Sequence, residues 1–544
     1  MQPRFIAGPP GTGKTHGEDI KENWGIVGLY KELLLKYHPD KIILLSHTNV
    51  AADQIKDAIL ALPIMKERGF TKKSMKYKIC TIHRFCKKYL QIVQKDKFEY
   101  EDHKNLIIQN RLFDADPSTD VDKHNLYRFR SDAKGRGMTY DNYWRACDQS
   151  SYRPYSIELM KELLSIYDQY KKDNKKCDYT DMIEDFNHPD IKAPNVDAVI
   201  IDECQDSNVP QTKAIEKIAT NVKENHYYLV GDADQTLFEY AGSNAKYFHK
   251  LAANPYHELT EGLRCSEAIN KKCKKIIMPI WDKWNSHRVW TPAKYTEKHN
   301  MGHIGEVIKG NGYYLSDLRG SSHLDILLHK IQNTDQTFLF TYRGTPGDIR
   351  CRKFFDYRGL EYAHIKNSAH VSKKELRAHH LWPDFIEGIP MGRTQVKHFC
   401  EYAGSKVKVR LKKGEVLNFD DWVNKDYTID ELIQKKVFKE EAKQYKDFDL
   451  VRIPSKTTKE KLLYIKKVLA KGFDFDKKIQ IKYGNIHEVK GLTFDNVIVD
   501  ETMTRREDWY TQLRLAYTAY SRGVFDYWTL AKSPGKYKTT LGRR

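Results

Sequence analysis

Cysteine is sparse and scattered in this sequence. Nine occur in 544 residues, no two form a CxxC pair, and the closest pair, Cys80 and Cys86, is spaced for neither a zinc site nor an iron–sulfur cluster. A disulfide framework of the secreted kind does not fit either. No basic-then-apolar leader opens the chain, no apolar run is long enough to span a bilayer, and no repeat or low-complexity tract occurs. These absences point to a soluble protein of a reducing cytoplasm, the host cytoplasm for a viral protein.

Charge, by contrast, is plentiful and unbalanced. Lys and Arg number 92 against 73 Asp and Glu, a net +19. A polyanionic partner such as nucleic acid fits that excess, and a solubilising surface is the plainer alternative. The length calls for about three or four domains.

The first chemistry-bearing stretch is "RFIAGPPGTGKT" (4–15). Arg4, Phe5, Ile6 and Ala7 make a short buried strand. Gly8, Gly11 and Gly13 then let backbone N–H groups wrap phosphates, and a following helix N-terminus adds positive potential. Lys14 reaches the β/γ-phosphates of ATP, and the Thr15 hydroxyl binds Mg²⁺. "DAVIIDECQD" (197–206) reads as a fully buried strand that delivers Asp202 and Glu203 to a sheet edge, where open α/β folds bind ligands. Asp202 suits Mg²⁺ held through water, and Glu203 suits polarisation of the attacking water. A helix cap is the bland alternative. In "YYLVGDADQTLFEYAGS" (227–243) another buried strand ends near Gln235, whose amide can bond both a γ-phosphate and a water. Phe238 and Tyr240 are either core or a base-stacking pair.

In family order, these segments and several others resemble the UvrD/Rep type of superfamily 1 DNA helicase. "LLSHTNVAADQIKDAI" (44–59), "TIHRF" (81–85), "CDYTDMI" (177–183), "LTEGLRCS" (259–266), "FLFTYRGTPGDIRCRKFFDYRGLEY" (338–362), "NIHEVKGLTFDNVIVDE" (485–501) and "LRLAYTAYSRG" (513–523) carry the likeness. The resemblance implies an α/β fold with two RecA-like P-loop motor domains, parallel sheets flanked by helices, and two mainly helical insertions. It implies an ATP-dependent, DNA-stimulated helicase travelling 3′ to 5′, with duties in DNA repair or replication. Its partners would be single-stranded DNA and single/double-strand junctions, with RNA open as a track. Arg264 and Arg522 match the arginines that reach the γ-phosphate from the second motor. His47, Thr48, Asn49, Thr81, His83, Arg84, His487 and Lys490 match strand-contacting positions, beside Phe238 and Tyr240.

The spacing implies motor segments 1–92 and 181–252 around an insertion 93–180, then 253–370 and 478–544 around a reduced insertion 371–477. The first insertion contains a helical run, "SIELMKELLSIYDQYKK". Within the second, "SKVKVRLKKGEVLNF" (405–419) alternates and reads as a hairpin. Val407, Val409 and Leu411 share one face; Lys406, Lys408, Arg410 and Lys412 share the other, and Lys413 and Gly414 turn the chain. It is either a phosphate-contacting strand or an edge defended by lysines. The chain past Arg522 reads as a short basic tail without room for a fused nuclease.

Four positions depart from the family pattern. Gln2 is the only glutamine ahead of the loop, Leu263 stands for an adenine-stacking Tyr, Thr493 for a ribose-contacting acid, and Ala241 for an Arg. Three of them touch base or sugar. Either the natural start lies upstream, or this is a compact motor that grips phosphates with weak base selectivity. Rival readings are a translocase that strips proteins from DNA without processive unwinding, and a non-catalytic nucleic-acid-binding scaffold with a relic ATP site.

Overall fold

The computed structural model describes residues 2–15, 25–90, 96–99, 101–102, 105–106, 125–152, 155–223, 225–294, 312–316, 322–366, 369–409, 419, 422–453, 458–501 and 508–531. The chain forms two compact units, one of residues 1–311 and 506–525, the other of 312–505 and 526–544. Each is built on a six-stranded sheet, so the α/β class with parallel sheets flanked by helices holds.

In the first unit the strands run in the order Ile79–Thr81, Ile42–Ser46, Ala198–Ile201, Tyr227–Gly231, Arg4–Ala7, His257–Glu258, and every pairing is parallel. Their side chains split between two cores. Phe5, Ile43, Leu45, Val199, Ile201 and Leu229 pack with Phe85, Ile183, Phe186 and Ile215 on one face. Ile6, Ile42, Leu44, Ile200, Tyr228 and Val230 pack with Leu29, Leu33, Ile55 and Ile59 on the other. A sheet covered on both faces needs apolar residues at every position, which is why these strands read as unbroken apolar runs.

The first insertion is mainly helical among the described residues, with one short parallel pair, Asp96–Lys97 and Lys176–Cys177. It contains Asn125–Gly135, Tyr140–Ala146 and Ile157–Asp173, the last capped by the Ser156 side chain. Its own core is aromatic: Phe129, Tyr143, Tyr152 and Tyr167 with Leu163 and Leu164. Residues 253–294, expected in the second motor, pack within the first unit, as does the helix Trp509–Tyr520.

The second unit orders its strands Tyr362–His364, Ile481–Asn485, Phe338–Tyr342, Phe494–Asp500, Gly523–Ala531, Gly312–Ser316. The helices Lys373–Ile386, Arg393–Tyr402 and Ile429–Gln434 enclose a separate core around Trp382, Phe385, Phe399 and Phe438. The lysine-bearing hairpin expected over 405–419 is not what residues 405–409 form. They turn, and Lys408 makes only an isolated antiparallel bridge with Phe438. Val407 is buried in the aromatic core, and Lys408 Nζ donates to the Cys400 carbonyl (2.8 Å). That lysine caps the last turn of a helix, where carbonyls lack partners, instead of facing outward. Arg410, Leu411, Lys412, Lys413 and Gly414 lie outside the described residues.

Candidate nucleotide site and adjoining surface

All the chemistry-bearing ends of the first sheet lie at the carboxyl edge of its strands. Arg4–Ala7 ends at Gly8, whose N–H donates to Gly231 O (3.1 Å). Gly11 and Gly13 take positive φ (72° and 83°), where a side chain is strained. Thr12 Oγ1 donates to Pro9 O (2.8 Å), and Lys14 Nζ donates to Gly8 O (2.7 Å) and Pro9 O (3.2 Å). Burial pushes the Lys14 pKa down and Arg264 adds to that; Asp232, Glu203 and Asp202 pull it up.

The loop is expected to lead into a helix. The described helix is Ile26–Leu34, and residues 16–24 lie outside the described residues. Ile26 N–H donates to Lys14 O (2.6 Å) and Val27 N–H to Thr15 O (3.3 Å). Partners twelve residues apart thus make the bonds that a helix makes between partners four apart. These two amides are bonded to the loop's own carbonyls rather than facing a ligand. Gly25 permits the join: a Cβ there would lie 2.2 Å from Gly13 O and 2.5 Å from Lys14 O.

Asp202 is buried at the end of Ala198–Ile201 and accepts from Ser46 Oγ (3.1 Å). Burial, then the neighbouring Glu203, pushes its pKa up to about 7 against the pull of Lys14. Glu203 sits at φ 52°, a left-handed turn that is costly for a non-glycine residue and is characteristic of functional sites. Gln205 links the acids to the next strand. Its amide nitrogen donates to Glu203 Oε2 and its oxygen accepts from Asp232 N–H (3.2 Å).

Gln235 is held at both ends. Its Nε2 donates to Asp232 Oδ2 (2.8 Å), and its Oε1 accepts from Arg522 Nη2 (2.9 Å). The amide's orientation follows from chemistry, since a carboxylate only accepts and a guanidinium only donates. Asp232 also receives Arg288 Nη1 (3.0 Å), Asp234 N–H (3.1 Å) and Tyr517 Oη (3.3 Å). Burial and Asp234 raise its pKa; Arg288 and Lys14 oppose them. Arg522 is buried, its pKa pushed down to about 10 by burial and by Arg264. Arg264 lies over the loop: Leu263 N–H donates to Gly11 O (2.7 Å), and a Cβ on Gly11 would come within 2.6 Å of Arg264 Cβ.

Lys14, Thr15, Asp202, Glu203, Gln235, Arg264 and Arg522 are thus all in the first unit, six of them joined by these contacts and charge interactions. Sequence reasoning missed Ser46, Gln205, Arg288 and Tyr517. The only signal for Gln205 was a polar residue inside "DECQD"; the other three act on partners far along the chain.

On the same sheet edge, Thr48 Oγ1 caps the helix Asn49–Ala61 (3.1 Å to Ala51 N), and Thr81 Oγ1 caps Ile82–Tyr89 (3.4 Å to Arg84 N). Two helix N-termini there form an anion-friendly edge. Asn49 is exposed, Arg84 half-buried, and His47 Nε2 is 3.0 Å from Ser207 Oγ. Burial pushes the His83 pKa down to about 4, so this ring is neutral near pH 7. Tyr179, also missed, is exposed and meets His83 edge-on at 5.3 Å. Phe238 is half-buried, Tyr240 is 53% exposed, and their rings are 6.0 Å apart. His487 and Lys490 belong to the second unit, just after Ile481–Asn485, with Arg343 Nη1 2.8 Å from His487 Nδ1.

Residues 1–255 match the UvrD/REP helicase N-terminal domain. Over that stretch the chain is similar to this domain of UvrD-like helicases, which bind ATP and nucleic acid. No curated protein matches the sequence. The residues fit a magnesium nucleotide. Burial first, then Arg264, lowers the Arg522 pKa, and Arg264 adds to the burial that lowers Lys14; a polyphosphate relieves that repulsion between cations. Among the described residues no three acidic, His or Cys side chains form a metal cluster. Mg²⁺ in phosphate sites takes most ligands from water and phosphate, so a hydroxyl and one carboxylate, as at Thr15 and Asp202, would be enough from the protein. Among the described residues no helix is long and apolar enough to cross a membrane.

Proposed function

We propose that this chain is an ATP-driven helicase that moves 3′ to 5′ along single-stranded DNA and opens duplex at junctions. The observation that carries the reading is Gln235, bonded at once to Arg522 and to Asp232 beside the phosphate loop. Lys14, Arg264 and Arg522 would hold the β/γ-phosphates, and Thr15 and Asp202 would hold Mg²⁺, which would supply charge neutralisation for phosphoryl transfer. Glu203 orients the attacking water. When Arg522 turns to the phosphate, Gln235 loses one of its two anchors, which gives the site a way to signal nucleotide state. Phe238, Tyr240, Tyr179 and His47 stack on bases, worth about 1–3 kcal/mol per base. Thr48, Asn49, Thr81, His83, Arg84, His487 and Lys490 line the backbone. The boundaries expected for the motors and insertions belong to this same reading.

Turnover of ATP with and without single strands, in wild type, Lys14→Ala and Glu203→Gln, tests it. Both variants are expected to lose strand-stimulated hydrolysis, and near-normal rates in both sink the site assignment. Duplexes with a 3′ or a 5′ tail read polarity, and unwinding of only the 5′-tailed substrate overturns the direction. Leu263 is tied to the loop through its backbone N–H, and its side chain could give a base no hydrogen bond. GTP is therefore expected to fuel the motor nearly as well as ATP; a strong ATP preference counts against weak base selectivity.

A further inference from the structure

The aromatic loop carries no cation of its own. Its residues 236–243 are Thr, Leu, Phe, Glu, Tyr, Ala, Gly and Ser. The single charge, Glu239, is paired with Arg514. A loop that stacks bases lies beside phosphates, and a cation within reach strengthens that grip. The first insertion delivers one. Its helix Asn125–Gly135 ends against the loop in direct backbone contact. A Cβ on Gly242 (φ 99°) would lie 2.2 Å from Gly135 O and 2.8 Å from Arg136 N, and a Cβ on Gly135 would lie 2.4 Å from Ala241 O. Arg136 follows at once. Its Nη2 donates to the Tyr240 carbonyl (2.8 Å), and its guanidinium carbon lies 5.6 Å from the Tyr143 ring centroid. The nearby Asp132 accepts from the hydroxyls of Tyr143 (3.3 Å) and Tyr152 (3.2 Å). Arg136 is half-buried, and Tyr240 beside it is exposed.

We infer that Arg136 is a nucleic-acid-binding residue: it contacts the phosphate of the nucleotide whose base stacks on Tyr240. The inference rests on the reading that this surface holds a single strand. One Nη2 N–H of the guanidinium fixes the loop, Nε is buried, and the outer Nη donors are left to serve the strand, a division an ammonium point charge makes less well. The insertion is thereby part of the grip on the strand.

The test is the affinity of the full chain for a fluorescently labelled oligothymidylate across a KCl series, for wild type, Arg136→Gln and Arg136→Lys. The Gln variant is expected to bind about 3- to 10-fold more weakly at low salt, with the slope of log K against log[salt] smaller by about 0.7. The Lys variant is expected to restore the slope. Thermal melts confirm that each variant is folded. A Gln variant with the wild-type slope overturns the inference alone, and weaker binding at that slope makes Arg136 only a loop anchor. A wild type that does not bind the oligonucleotide overturns the strand-binding reading and this inference together.

Discussion

The Gln235 amide has a carboxylate on its nitrogen and a guanidinium on its oxygen, so any change at one end is felt at the other. Gln235→Glu sets a carboxylate against Asp232 and should abolish hydrolysis while leaving nucleotide binding measurable by fluorescence titration. Arg288 is the buried cation that compensates Asp232, 3.0 Å away. Its removal in Arg288→Met leaves that carboxylate short of a partner, and a stability loss of about 3–5 kcal/mol is expected in urea titrations. Arg288→Lys should recover part of it. At this scale the loop Gly8, Gly11, Gly13, Lys14 and Thr15 and the pair Asp202–Glu203 were legible, because contiguous residues carry their chemistry. Arg288 was not: its partner lies 56 residues away, and an arginine in a loop reads as surface.

The elements that position those residues were readable where both faces of a strand are buried. The expected strands are found at Arg4–Ala7, Ala198–Ile201 and Tyr227–Gly231. The bonds from Ile26 and Val27 back to Lys14 and Thr15 join residues twelve apart, which no periodicity reveals. Gly25 is the element-scale consequence. Gly25→Ala would push a methyl into Gly13 O and Lys14 O, and the strain falls on the phosphate loop. Nucleotide affinity is expected to fall by roughly tenfold, since displacing packed backbone costs about 1–3 kcal/mol. Isothermal titration checks it, and unchanged affinity would show this close approach to be unimportant. Lys408, read as one tooth of a charged hairpin face, instead caps the helix Arg393–Tyr402 through Cys400 O. Alternation alone cannot distinguish a strand from a turn that buries one valine.

At the scale of the whole molecule, two units with separate cores should not melt as one, so more than one calorimetric transition is expected. Acid should loosen the first insertion in a defined window. Arg130 and Lys171 lie 3.1 and 3.0 Å from the Asp178 carboxylate, and Tyr167 Oη donates to it at 2.8 Å. Burial opposes ionisation there, but the two cations win and hold the pKa down at about 2. A depressed carboxylate contributes stability that is complete above the unfolded pKa of about 3.9. That stability is lost as pH falls through the folded value of about 2. Near-UV circular dichroism of the tyrosine-rich insertion should decline in that window in wild type. Asp178→Asn should already be destabilised at neutral pH and respond less to acid.

The sequence by itself determined the class of fold, the phosphate loop, the paired acids and the edge of the sheet that carries them. It could do so because backbone conformation and burial at each of those places are dictated by neighbours in the chain. Only the tertiary structure decided which groups complete them. It joined Arg522 to Gln235, Arg288 and Tyr517 to Asp232, Gly25 to the loop, and Arg136 to Tyr240. Buried charges must find partners wherever the packed chain brings them, and that pairing is set by how helices and strands stack, not by any local pattern of residues.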